Sequence, residues 1–362
     1  MRLPALPRFT LADARLALRA TVAAFLAYLL AEWLDLPKGY WAVLSAILVV
    51  QSSLGASLAI AIDRCLGTLA GGVIGVGFAI LAGPSFSLTL GFLVLGTFLA
   101  AMLAARSASY KLAPVTVCVV MLADPSHVNP WISGLERILE ISLGGAVGLA
   151  CALLVLPSKA REYLYPHVAD VLDGCAELID LGARGLVEGT LDPSALDATN
   201  TRVRIALRAA DTRAGEAKRE RIGFFFSQSR DMTPLVRGGR RLWHTVIMLL
   251  RGSAHPMDKE LGRDAGPALT AAAAALATVA RALAASMRGE TGTDIDATLE
   301  TASGAVTALD AQMDRLAQSG AFSGDGASLV QLSAAVAACE HLLENLTELA
   351  ARLKDIRAPV EE

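Results

Sequence analysis

The sequence predicts an all-α membrane protein: six transmembrane helices arranged as two inverted three-helix repeats, followed by a soluble helical bundle. Three observations carry this. Residues 20–156 are almost continuously apolar. A pattern within them occurs twice, since Asp63-Arg64, Gly71-Gly72 and Gly75 return as Glu136-Arg137, Gly144-Gly145 and Gly148, each 73 positions on. Charge is also divided unevenly. The first 157 residues hold nine Lys/Arg and seven Asp/Glu, and the remainder twenty-three and twenty-eight. An ionised side chain at mid-bilayer costs about 2.5–3.5 kcal/mol on insertion scales, so a spanning segment sheds charge. Two domains follow, 1–157 in the membrane and 158–362 outside it.

A helix needs about 20 apolar residues to cross a bilayer. Six stretches qualify or come close: 16–36, 40–57, 64–82, 87–105, 108–125 and 134–156. Asp35-Leu36-Pro37-Lys38-Gly39, Ser52-Ser53, Gly83-Pro84-Ser85, Arg106-Ser107 and Asp124-Pro125-Ser126 separate them. Arg2, Arg8, Arg15 and Arg19 before the first apolar run resemble a secretory leader. That run is long, contains Glu32 and lacks a small-x-small cleavage site, so it reads as a retained helix.

An even number of spans leaves both termini on one side. Arg2, Arg8, Arg15, Arg19, Arg64, Arg106, Lys111, Lys159 and Arg161 fall on that side, against Lys38 and Arg137 opposite. The positive-inside rule makes it cytoplasmic. Trp33, Trp41 and Trp131 then gather at the outer interface, and Tyr110, Tyr163 and Tyr165 at the inner one. A three-span repeat is odd in number, so the second copy enters from the opposite face. That architecture recurs in secondary transporters.

Gly67, Gly71 and Gly75 recur every fourth residue, as do Gly144 and Gly148, which suits close helix packing. These are packing faces first, and the functional reading adds that spans three and six meet near the pseudo-two-fold axis. Asp63 and Arg64 would stand at the inner mouth of span three, and Glu136, Arg137 and Glu140 at the outer mouth of span six. Glu140 lies a turn deeper and is the better proton carrier, with Asp63 second; Glu32 ranks below both. Interfacial anchoring by long side chains is the plainer alternative for Arg64 and Arg137. Short or broken spans in matching positions point to a binding site. Tyr40–Gln51 is short, and Pro114 interrupts Leu112–Ala123. The offset of 73 pairs Gln51 with Asp124 and Lys38 with Lys111. Spans two and five would therefore line the path, with Tyr40 and Trp41 offering an aromatic surface and Gln51 a hydrogen bond. A plain aromatic belt is the alternative for Tyr40 and Trp41.

Tyr40-Trp41-Ala42-Val43-Leu44, Val49-Val50-Gln51-Ser52 and Arg64-x-x-Gly67-Thr68-x-x-Gly71-x-x-x-Gly75 together resemble the fusaric acid resistance family. That family is allied to the aromatic acid exporters and, more distantly, to plant aluminium-activated malate transporters. The resemblance covers residues 10–157. Ser52-Ser53 departs from it, standing where members often carry Pro-Ser after the Gln. It implies export of aromatic or other organic carboxylates across the inner membrane, using the proton gradient. It also implies a homodimer, because members of double this length carry two membrane units. An organic-anion channel and a non-transporting membrane scaffold are the alternatives.

After Pro157 the chain reads as helices over 158–188, 193–221, 232–252 and 264–288, with Asp192-Pro193 a strong helix start. Two heptad seams follow: Leu299/Ala302/Val306/Leu309/Met313/Leu316, and Leu329/Leu332/Val336/Cys339/Leu343/Leu346/Ala350/Leu353. The turn from Ser319-Gly320 to Gly326 makes them an antiparallel hairpin. The segment Arg202–Arg251, with Phe224-Phe225-Phe226 and Trp243, reads first as solvated helix faces and second as a surface for anionic lipid or substrate. The net charge of −3 gives no case for nucleic acid. Five scattered cysteines and the absence of a nucleophile–base pair, phosphate loop or metal-ligand spacing argue for no cofactor, no metal and no enzyme.

Overall fold

The computed structural model describes residues 11–123, 129–157, 160–222, 231–252, 257–290, 292, 294–319 and 326–357. Arg2, Arg8, Lys159, Asp124-Pro125-Ser126, Phe224-Phe225-Phe226 and the turn from Gly320 lie outside them. Every regular element among the described residues is helical. The chain forms two compact units, Met1–Ala160 and Arg161–Glu362.

The first unit holds α1 (Leu11–Trp33), α2 (Tyr40–Val49), α3 (Leu54–Ala82), α4 (Phe86–Arg106), a 3-10 turn at Ala108–Tyr110, α5 (Ala113–Ala123) and α6 (Pro130–Leu154). Two boundaries differ from the sequence reading. The helix α2 stops at Val49, and α3 begins ten residues earlier than expected, because Ser53 caps it by accepting the Ala56 amide. A serine hydroxyl on the first-turn amides is a strong helix start. Asp63 and Arg64 thus lie in the third turn of α3, not at its mouth. Pro114 occupies the first turn of α5, where no backbone N–H is missed, so it starts the helix and interrupts nothing.

Four helices of this unit (α1, α3, α4, α6) are long and apolar enough to cross a membrane, and α2 and α5 are shorter apolar helices. The long ones divide into two kinds. About half of α3 and α6 is buried, whereas α4 is almost wholly exposed through Phe86, Leu88, Leu90, Val94, Phe98 and Met102, and α1 is nearly so.

The packing repeats. α6 packs on α1, α2 and α3; α3 packs on α4, α5 and α6; α1 pairs with α2 as α4 does with α5. The glycines set the spacing. A Cβ on Gly71 would overlap the Ala113 carbonyl and Thr116, and one on Gly144 would overlap the Ala42 carbonyl and Ser45. Gly75 faces Val117 and Val120, as Gly148 faces Ala46 and Val49. Gly67 faces Leu112 and the Ser109 carbonyl. α3 and α6 meet as expected, while these glycine faces seat α5 and α2. The α3–α6 contact uses other residues: Gly72 against Ile138, and Gly134 against Val76.

These contacts also fix register. α2 matches α5 at an offset of 71, not the 73 that relates α3 to α6. The pairings of Gln51 with Asp124 and Lys38 with Lys111 are therefore displaced by two residues, and Ser45 corresponds to Thr116. Numbering rises along α3 as it falls along α6, so those two helices run antiparallel. Their crossing brings Thr68 and Ile141 nearly level.

The second unit comprises α7 (Ala160–Glu188), α8 (Pro193–Ile222), α9 (Thr233–Gly252), α10 (Lys259–Arg288), α11 (Ile295–Gln318) and α12 (Gly326–Arg357). Asp192 caps α8 by accepting from Ser194 Oγ and N, and these bonds hold its carboxyl below the usual range. The Lys354–Asp296 ion pair joins the end of α12 to the start of α11, so the hairpin is antiparallel. Ala302, Val306, Leu309 and Leu316 are buried on α11, and Leu332, Val336, Cys339, Leu346, Ala350 and Leu353 on α12. By length and composition α10 could also cross a membrane. Its apolar residues instead point inward, with Leu269, Leu276 and Leu283 fully buried in a helix packed on α11 and α12. Arginines in the 202–251 segment pair with acids: Arg202 with Glu177, Arg240 with Asp211, Arg241 with Glu348.

Candidate functional site: a buried arginine pair

Four charged residues are buried in the first unit among the described residues: Arg19, Arg64, Arg137 and Glu140. Three of them gather where α2, α3 and α6 meet. Arg137 Nη1 donates to Glu140 Oε2 at 2.7 Å, and the Lys38 amide donates to Glu140 Oε1 at 3.1 Å. The Arg137 guanidinium also lies over the Trp41 ring, 3.8 Å from its centroid. Trp41 is therefore a shelf for a buried cation. Its neighbour Tyr40 is exposed, with the two rings 5.4 Å apart.

Arg64 is held differently. Its Nε donates to Ser45 Oγ at 3.1 Å, and that hydroxyl donates onward to the Ile141 carbonyl at 2.9 Å. It has no carboxylate partner among the described residues, although it is only 7% exposed. The anchor is the Nε–H, so the terminal fork of two nitrogens, the part that grips a carboxylate in a bidentate manner, is left open. Asp63, next in sequence, accepts from Ser109 Oγ at 2.7 Å on the α5 side.

Arg64 and Arg137 lie within their helices, in the third turn of α3 and of α6, and not at the helix ends. Relative to the level of Thr68 and Ile141, each stands little more than a turn away, about 6 Å along the helices and on opposite sides. They occupy corresponding places in the two halves but differ in one respect. Glu140 corresponds to Gly67, so an internal carboxylate neutralises Arg137 and none neutralises Arg64. Two buried polar atoms nearby lack partners among the described residues, Trp41 Nε1 and Thr68 Oγ1.

The other expected residues are placed elsewhere. The Gln51 side chain donates to the Leu48 carbonyl and so finishes α2. Glu32 is exposed and Glu136 half-buried. Ser45 was missed in the sequence, though a single hydroxyl inside the apolar run Tyr40–Val49, matched by Thr116 in α5, was a visible signal. Arg19, counted as an interfacial cation, is 1% exposed and donates to the Val155 and Leu156 carbonyls at the end of α6.

Residues 26–151, which contain this centre, match the model of the Fusaric acid resistance protein-like family. The similarity to that family lies within the first unit. A 208-residue stretch is 25% identical to a putative aluminum-activated malate transporter 3 of Arabidopsis thaliana, covering 54% of this chain and 35% of that relative. The chain thus matches about a third of the relative's length.

Proposed function

We propose that the protein is a secondary transporter that exports organic, chiefly aromatic, carboxylates across the inner membrane with protons as the coupling ion. The observation that carries this reading is Arg64, buried in an apolar unit with its fork unpaired among the described residues. A charge in the bilayer interior is expensive and persists where it serves a pathway. Arg64 receives the anion, α2 and α5 line its route, and Glu140 is the proton carrier, with Asp63 secondary. The antiparallel run of α3 and α6 and the repeated packing support an inverted repeat as the machine. Both termini are cytoplasmic on this reading, residues 158–362 form a cytoplasmic domain, and the functional form is a homodimer.

Uptake of radiolabelled benzoate into inverted vesicles tests it. Arg64→Ala is expected to abolish uptake while the protein still inserts, and Gly77→Ala, at a site with open space around it, keeps it. Normal uptake by Arg64→Ala removes the proposed role. The similarity to the malate transporter favours a second reading, an organic-anion channel. Current through a planar bilayer without a proton gradient would decide for the channel.

A further inference from the structure

Charge at the buried centre can be counted. Arg64 and Arg137 contribute two positive charges and Glu140 one negative charge, all at most 7% exposed. Asp63 is only half-buried and is engaged by Ser109, and Glu136 and Glu32 lie at half-buried and exposed positions. Arg19 is spent on carbonyls at the far end of α6. The centre therefore carries one net positive charge and one open guanidinium fork. Ser45 fixes where that fork points, because it ties Arg64 Nε to the α6 backbone.

We propose that this centre selects singly charged carboxylates over doubly charged ones, with Glu140, ionised in the state that receives the anion, setting that valence by neutralising Arg137. A monocarboxylate brings the buried charge to zero on binding. A dicarboxylate leaves one charge uncompensated in an apolar surrounding, where Arg137 is already committed to an internal acid. Glu140 has no counterpart in the first half, where Gly67 stands. Valence selection is thus an asymmetry added to an otherwise repeated frame. The inference rests on the transport reading above and refines its substrate class.

Two matched pairs isolate charge from shape: benzoate against isophthalate, and monomethyl succinate against succinate, all at pH 7.5 in vesicles reconstituted with the full chain. The wild-type protein is expected to move the monoanion of each pair faster by about tenfold or more. Glu140→Gln raises the net charge to two and is expected to narrow both ratios by a similar factor. Arg137→Gln with Glu140→Gln restores a net charge of one and is expected to keep the wild-type preference, whatever its rate. Equal transport within each pair, preference for the dianion, or unchanged ratios in a folded Glu140→Gln protein overturns the inference and leaves the transport reading standing. Transport of none of the four anions overturns both. Should Glu140→Gln fail to fold, the wild-type ratios and the double variant decide.

Discussion

Arg19 joins two distant parts of the first unit with one side chain. Its guanidinium takes carbonyls that the end of α6 leaves without helical partners. Removing it takes away that partner from carbonyls that are only partly buried, at a cost on the order of 1 kcal/mol. Arg19→Ala is expected to lower the melting temperature in detergent, and an unchanged Tm would show that the clasp carries no weight. Gly144→Ala tests the second close approach. Its Cβ would overlap the Ala42 carbonyl, so α2 must separate from α6, at about 1–3 kcal/mol. Gly77→Ala, surrounded by open space, is the neutral comparison. In the second unit, burial, reinforced by Glu340, pushes the Cys339 thiol up to about 12. Unfolded, it ionises near 8.5. The folded state holds its proton longer, so stability is full below about 8.5 and falls as pH rises toward 12. Thermal unfolding of wild type between pH 7.5 and 10, against Cys339→Ala, is expected to show a steeper decline in the wild type.

Elements were legible in proportion to how strongly they are marked. The soluble helices were marked by caps and seams. Asp192-Pro193 started α8 where expected, and the inward residues of α11 and α12 followed the heptads. The third membrane helix starts ten residues before the apolar stretch 64–82 because Ser53, in the Ser52-Ser53 separator, caps it. Those ten residues move Arg64 from a mouth to the interior. Glycine spacing told that helices pack closely but not against which partner, since four-residue spacing looks alike on every face. The site was half legible. Arg64, Arg137, Glu140 and Trp41 stand out in the sequence, while Ser45, which joins all three helices, is one polar atom in an apolar run. Leu276→Ala tests α10 as a core helix of the second unit. A fully buried leucine in such a helix is expected to cost about 2–5 kcal/mol by denaturant unfolding.

At the scale of the molecule, the inverted repeat makes a topological prediction. The turns on either side of α4, at Ser85 and Ser107, then face opposite compartments. In a cysteine-free background, Ser85→Cys is expected to react with an impermeant maleimide from outside the cell and Ser107→Cys only from inside. Labelling of both from one side would dissolve the repeat.

The brevity of α2 and α5 has an electrical consequence. Ten and eleven residues rise only about 15 Å, half the thickness of a hydrocarbon core. On the proposed route, the insulating septum at Arg64 is correspondingly thin, and the transmembrane voltage drops across it rather than across the whole bilayer. A monoanion moving through that septum alone carries nearly the full gating work, about 2.3 kcal/mol per 100 mV. Its flux is then steeply voltage-dependent, whereas an anion accompanied by a proton crosses without net charge and ignores the field.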